Sequence, residues 1–81
     1  ISLSIDWKLV SERLTELRHS KNLTETELSS KIGFAQTTYS HYEIGKRRPT
    51  TMKLLSIAQY YNVSVDYIVG RTNNKKIHVN N

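Results

Sequence analysis

Between Trp7 and Ser20 the apolar residues Val10, Leu14 and Leu17 recur at intervals of four and three, which is the spacing of one helix face. Asp6 stands before them as a capping residue. Trp7 is expected to pack or to cover the core rather than to touch a ligand. A second helix is announced at Thr24, whose hydroxyl can accept a backbone N–H while Glu27 reaches back, with Leu23 and Leu28 flanking the cap as a hydrophobic staple. Leu28 and Ile32 then face inward, and Gly33 ends the helix where a left-handed backbone costs glycine little. A third helix is expected from about Ala35 to Ile44, with Tyr39 and Tyr42 inward and Phe34 entering the core at the preceding turn. Thr50 caps a fourth helix with the apolar face Leu54, Leu55, Ile57, Ala58 and Tyr61. Asn62 closes it, and Ser64 caps a short fifth helix carrying Val65, Ile68 and Val69. Five helices with short connections predict a compact all-α domain over residues 7–70.

The pattern changes at both ends. Ile1, Leu3 and Ile5 alternate with polar residues, as do Ile77 and Val79, and such a two-residue period could pair as a small ribbon. The preferred reading is an N-terminal arm or trimming remnant over 1–6 and a polar, basic, disordered tail or linker over 71–81. A chain of 81 residues holds one small core, which commonly needs a disulfide, a metal or a partner subunit for support. With no cysteine, and His19, His41 and His78 far apart in sequence, neither a metal nor a cofactor is expected. Dimerisation is the remaining route. No apolar run of about 18 residues is present, so no membrane span is expected. Nothing at the start reads as a signal peptide, and the expected location is the cytoplasm.

The net charge is +5, and it is unevenly placed. Residues 1–32 carry five basic and five acidic groups, whereas residues 33–81 carry seven basic and two acidic. A polyanion is a reasonable partner for such a half.

The stretch from Leu28 to Tyr42 sharpens that expectation. Two helices that meet steeply through a short turn need a small residue in the first, a glycine at the turn and apolar residues at fixed offsets. Ser29 is the small residue, Gly33 falls four residues later, and Tyr39 and Tyr42 fall ten and thirteen later. Together these offsets predict a helix-turn-helix. Gln36 and Thr37 then lie in the first turn of the third helix, where a recognition helix presents side chains to base edges. Gln36 can pair with adenine through N6 and N7, Thr37 can meet a thymine methyl or a base edge, and His41 can reach a base or a phosphate.

Residues 9–70 resemble the Cro/cI-type phage repressors, the lambda-repressor-like helix-turn-helix family. The resemblance is carried by Leu23-Thr24-Glu25-Thr26-Glu27-Leu28, Lys31-Ile32-Gly33 and Tyr42-Glu43-Ile44-Gly45 with Pro49 four residues on, then Leu55-Ser56-Ile57-Ala58 and Asn62–Ile68. It implies an all-α five-helix fold, a third helix in the major groove, and binding of double-stranded DNA as a homodimer on a near-palindromic operator. By position it implies base contacts from Gln36, Thr37 and His41. Phosphate contacts are implied for the start of the second helix (Thr24, Glu25), for Ser40, and for the loop Lys46, Arg47, Arg48. It also implies an ion pair between Arg18 and Glu43. There are three departures. Glu25 stands where a glutamine often touches phosphate, Ala35 replaces a Ser or Thr cap, and Ile44 replaces a polar residue and is a candidate for contact with a partner subunit.

An enzyme is not expected, because no nucleophile, base and orienting group are brought together by the pattern. The favoured function is a dimeric transcriptional repressor, with Val65, Ile68 and Val69, helped by Tyr60 or Tyr61, as the expected dimer interface. The alternatives are an antitoxin with a protein partner, or the DNA-binding head of a larger signal-sensing regulator whose further C-terminal domain is missing.

Overall fold

The computed structural model describes residues 5–77; His78 and most of the alternating pattern at the two ends (Ile1, Leu3 and Val79) lie outside that range. Helix α1 (Trp7–Ser20) begins where Asp6 Oδ1 accepts the N–H groups of Lys8 and Leu9 at 3.1 and 3.2 Å. Helix α2 (Glu25–Ile32) begins with a complete capping box. Thr24 Oγ1 accepts from the Glu27 N–H at 3.1 Å, and Glu27 Oε1 accepts from the Thr24 N–H at 2.9 Å. Those bonds hold the Glu27 carboxyl below its usual value. Helices α4 (Thr51–Tyr61) and α5 (Val65–Ile68) start at Thr50 and Ser64, whose hydroxyls accept from Lys53 and Tyr67. Each cap satisfies an N–H that helix geometry leaves without an intrahelical partner.

Helix α3 (Gln36–Glu43) is the exception, because Ala35 offers no side-chain acceptor. Its position comes from packing against α1 and α2. Tyr39 is fully buried and Tyr42 nearly so, in the core formed by Val10, Leu14, Leu17, Leu28, Ile57, Ala58 and Ile68. Tyr42 meets Phe34 and Tyr39 edge-on, at centroid distances of 6.5 and 6.4 Å. Gly33 makes the turn between α2 and α3 at φ +74°, a conformation that side chains disfavour. Ser29 is 2% exposed, and its hydroxyl donates to the Glu25 carbonyl at 2.7 Å, so a small polar residue sits at the helix crossing without an unmet hydrogen bond.

Among the described residues there are five helices and no strand, and no helix is long and apolar enough to cross a membrane. The segment after α5 is tied to the body. Arg13, 9% exposed, donates to the carbonyls of Tyr67 and Thr72 and to Asn73 Oδ1, and its guanidinium lies over the Tyr67 ring. The Ser64 N–H donates to the Lys75 carbonyl at 2.9 Å.

Candidate nucleic-acid interface

The outer face of α3 is built from residues that the packing of Tyr39 and Tyr42 leaves outside. Ala35, Gln36 and Thr37 are exposed at its first turn, whereas Ser40 and His41 are half-buried one turn on. Gln36 and Thr37 therefore project from the helix start, as a groove-reading helix requires. His41 is less accessible than they are, and its backbone carbonyl accepts from the N–H groups of Lys46 and Arg47 at 2.9 and 3.2 Å. Those two bonds fold the basic loop back against the end of α3. Lys46, Arg47 and Arg48 are all exposed, and Arg48 lies 5.2 Å from the Trp7 ring centroid. Trp7 thus supports the loop from α1, in keeping with a packing role.

The far end of α3 is fixed by an ion pair. Arg18 Nε donates to Glu43 Oε2 at 2.7 Å and Arg18 Nη2 to Oε1 at 2.9 Å, while Nη1 donates to the Leu23 carbonyl at 2.8 Å. The side chains are 13% and 5% exposed. Burial alone would raise the Glu43 carboxyl, but hydrogen bonds from Arg18, Tyr39 and Thr15, with the Arg18 charge, hold it below the usual carboxylate value. The hydrogen bond to Glu43 in turn raises the Arg18 guanidinium against a smaller opposing effect of burial. Tyr39 is raised strongly, by burial first and by Glu43 second, and so stays a neutral phenol.

The near end is held differently. Glu25, at the start of α2, accepts from Ser40 Oγ at 2.9 Å, and Ser40 Oγ accepts from Gln36 Nε2 at 2.7 Å. Thr24, occupied in the capping box, stands beside it on the same helix start.

The structure thus brings Gln36, Thr37, Ser40 and His41 onto one helix, with the loop Lys46–Arg48 at one end and Glu25 at the other. It does not leave the expected dimer residues free. Ile68 is fully buried and Val69 is 9% exposed in this chain's own core, because the short α5 must close the bundle against α1 and α4. Of the three, only Val65 reaches the surface, in a shallow groove of about 410 Å³ with Leu55, Ala58 and Ile77. Two cations were not singled out from the sequence. Lys53 Nζ lies 4.1 Å from the Phe34 ring centroid, at the turn that precedes α3, and only its place in the first turn of α4 hints at this. Arg13 serves the fold, and its partners are mostly backbone carbonyls without a sequence signature.

Two packed helices joined by a glycine turn, the second with an exposed polar first turn, define a class of protein, and the sequence comparisons give the family. Residues 14–68 match the helix-turn-helix family, and the chain belongs to it. It is 44% identical over 61 residues to the uncharacterized HTH-type transcriptional regulator YobD of Bacillus subtilis (strain 168), covering 75% of this chain and 54% of that protein. It is 36% identical over 62 residues to the cryptic phage CTXphi transcriptional repressor RstR of Vibrio cholerae, covering 76% and 55%. The HTH-type transcriptional activator BcrR of Enterococcus faecalis is 32% identical over 59 residues, covering 73% and 29%. The chain spans about half the length of the first two.

Proposed function

We propose that this chain binds double-stranded DNA sequence-specifically, as a homodimer on a near-palindromic operator, and represses transcription there. The observation that carries the reading is the exposed, uncharged first turn of α3, held rigid at both ends and adjoined by Lys46, Arg47 and Arg48. In this reading Gln36 and Thr37 face base edges, with His41 behind them. Phosphates are held by the loop and by backbone N–H groups at the starts of α2 and α4, with Lys53 as an added cation, whereas the Ser40 hydroxyl, expected to join them, gives its hydrogen to Glu25. A second copy packs on the groove of Leu55, Ala58, Val65 and Ile77. The likeness to RstR, a repressor by name, supports the sign of regulation.

Selection of bound sequences from a random duplex pool at two salt concentrations tests this. A near-palindromic motif with half-sites about one helical turn apart is expected. Gln36→Ala should relax one symmetry-related position and leave nonspecific binding nearly unchanged, whereas Arg47→Ala should weaken all sequences and lower the salt slope by about 1. A flat, salt-sensitive pool, or uniform weakening by Gln36→Ala, would refute it. A second reading, the DNA-binding head of a longer signal-sensing regulator, is favoured by relatives that extend well beyond the matched part. It predicts a monomer in sedimentation equilibrium, with poor operator binding.

A further inference from the structure

We infer that Glu25 is a specificity-setting residue: through Ser40 it fixes which way the Gln36 side-chain amide points, and hence which base Gln36 accepts. The inference rests on the reading above, that Gln36 faces a base edge. It follows from counting hydrogens. An ionised carboxylate can only accept, so the single hydroxyl hydrogen of Ser40 goes to Glu25 Oε1, at 2.9 Å. The Ser40 oxygen then has only lone pairs left for Gln36, 2.7 Å away. The Gln36 amide must turn its Nε2 toward Ser40. Its carbonyl oxygen and second N–H are left on the outer edge. A glutamine is otherwise symmetric enough in shape to adopt either orientation. Here the polarity is imposed from α2, by the residue that the sequence marks only as an acid where phosphate is expected.

The orientation has a chemical consequence in the major groove. An outward Oε1 accepts from adenine N6–H₂ while the free Nε2–H donates to N7. Against guanine the same Oε1 meets O6, also an acceptor, so guanine is rejected. Half-burial of Glu25 and Ser40 beside the exposed Gln36 keeps the relay out of full competition with water. Glutamine at position 25 would remove the constraint. Its amide can donate to Ser40, and the Ser40 hydrogen is then free to donate to Gln36 Oε1, which turns Nε2 outward toward guanine O6.

The test is the same duplex selection on the full chain, with Glu25→Gln, Ser40→Ala and Gln36→Ala run beside the wild type. The wild type should prefer adenine over guanine at the Gln36 position by about fivefold to a hundredfold. Glu25→Gln and Ser40→Ala should bring that ratio to about one while the rest of the motif is kept, and Gln36→Ala should flatten the same position. Tighter binding by Glu25→Gln with an unchanged motif would mean that Glu25 only repels phosphate, and would overturn the inference. A readout without DNA separates the two levels of the proposal. In the free protein, nuclear Overhauser contacts between the Gln36 side-chain NH₂ and the Ser40 β-protons should be present and should weaken in Glu25→Gln. Their absence in a wild type that still selects a motif would overturn the relay alone. Their presence in a wild type that selects no motif would overturn the base-reading role of Gln36, and the assignment of specificity to Glu25 with it.

Discussion

Removing Arg18 should destabilise the domain by about 3 kcal/mol, a loss that follows from what its guanidinium touches. It makes two hydrogen bonds to Glu43 and one to the Leu23 carbonyl, and so joins α1 to the end of α3 and to the approach to α2. Truncating one member of a buried ion pair costs about 3–5 kcal/mol, because the other charge is left poorly solvated. The lower end applies here. Arg18 is 13% exposed, so water can reach part of the gap, and Glu43 keeps the Thr15 hydroxyl at 3.0 Å. An 81-residue domain has about 4–12 kcal/mol in all, so the loss is between about a quarter and three quarters of the total. At roughly 4–8 °C per kcal/mol, its melting midpoint should fall by about 12–24 °C. Urea titration followed by circular dichroism at pH 7 measures the loss. Arg18→Met combined with Glu43→Leu should recover most of it, since no charge is then left unpaired. A loss below about 1 kcal/mol for Arg18→Ala, or a double variant as unstable as the sum of its single changes, would refute the claim that an orphaned buried charge sets the cost.

The depressed Glu43 carboxyl makes its stabilisation fully present above the ordinary carboxylate value of 4.5 and progressively lost as pH falls through its lower folded-state value. The stability difference between wild type and Glu43→Gln should therefore shrink on acidification below about pH 4.5, and a constant or growing difference would contradict the sign. Ala35 leaves α3 without a side-chain cap, so Ala35→Ser should stabilise by about 1 kcal/mol, seen as a higher melting midpoint. An unchanged or lower midpoint would count against it. Arg13→Ala removes the donors that hold the Thr72 carbonyl and Asn73 side chain, and should release residues 72–77. The Ser64 amide, bonded to Lys75, should then exchange its hydrogen about tenfold faster or more, and undiminished protection would show that the segment is held without Arg13.

What was legible in the sequence was local. Caps at Asp6, Thr24, Thr50 and Ser64 act on the next three residues of their own chain, so short spacings reveal them. The turn at Gly33 and the inward Tyr39 and Tyr42 were legible for the same reason. The Arg18–Glu43 pair was reached only through family resemblance, since its members are 25 residues apart and nothing in either segment names the other. Arg13 was not reached at all. Its partners lie 54–60 residues away, and such a cation on a helix looks like an ordinary solvated one. Val65, Ile68 and Val69 show the limit of periodicity. An apolar face must be covered, but spacing cannot say whether this chain or a second one covers it. At Ile68 and Val69 this chain does.

Glu25 and Glu43 have one physical role in common. An eight-residue helix without a side-chain cap is too short to hold its conformation by backbone hydrogen bonds alone, so α3 depends on tertiary fastening. Both fasteners are acids, at opposite ends of the surface proposed to meet DNA. Acidic groups there lower the attraction for phosphate, which is shared by every sequence. The same two groups orient the helix and its first-turn glutamine, on which discrimination between sequences depends in the proposed function. In the proposed reading Lys46, Arg47, Arg48 and Lys53 supply the opposite contribution, attraction without base preference. In the proposed function the arrangement separates two roles by charge: cations on the loop and on α4 would bring DNA to the surface, and anions behind α3 would determine what that surface can read. A neutral replacement at Glu25 should therefore raise affinity and lower discrimination together, a trade that attraction to phosphate alone would not produce.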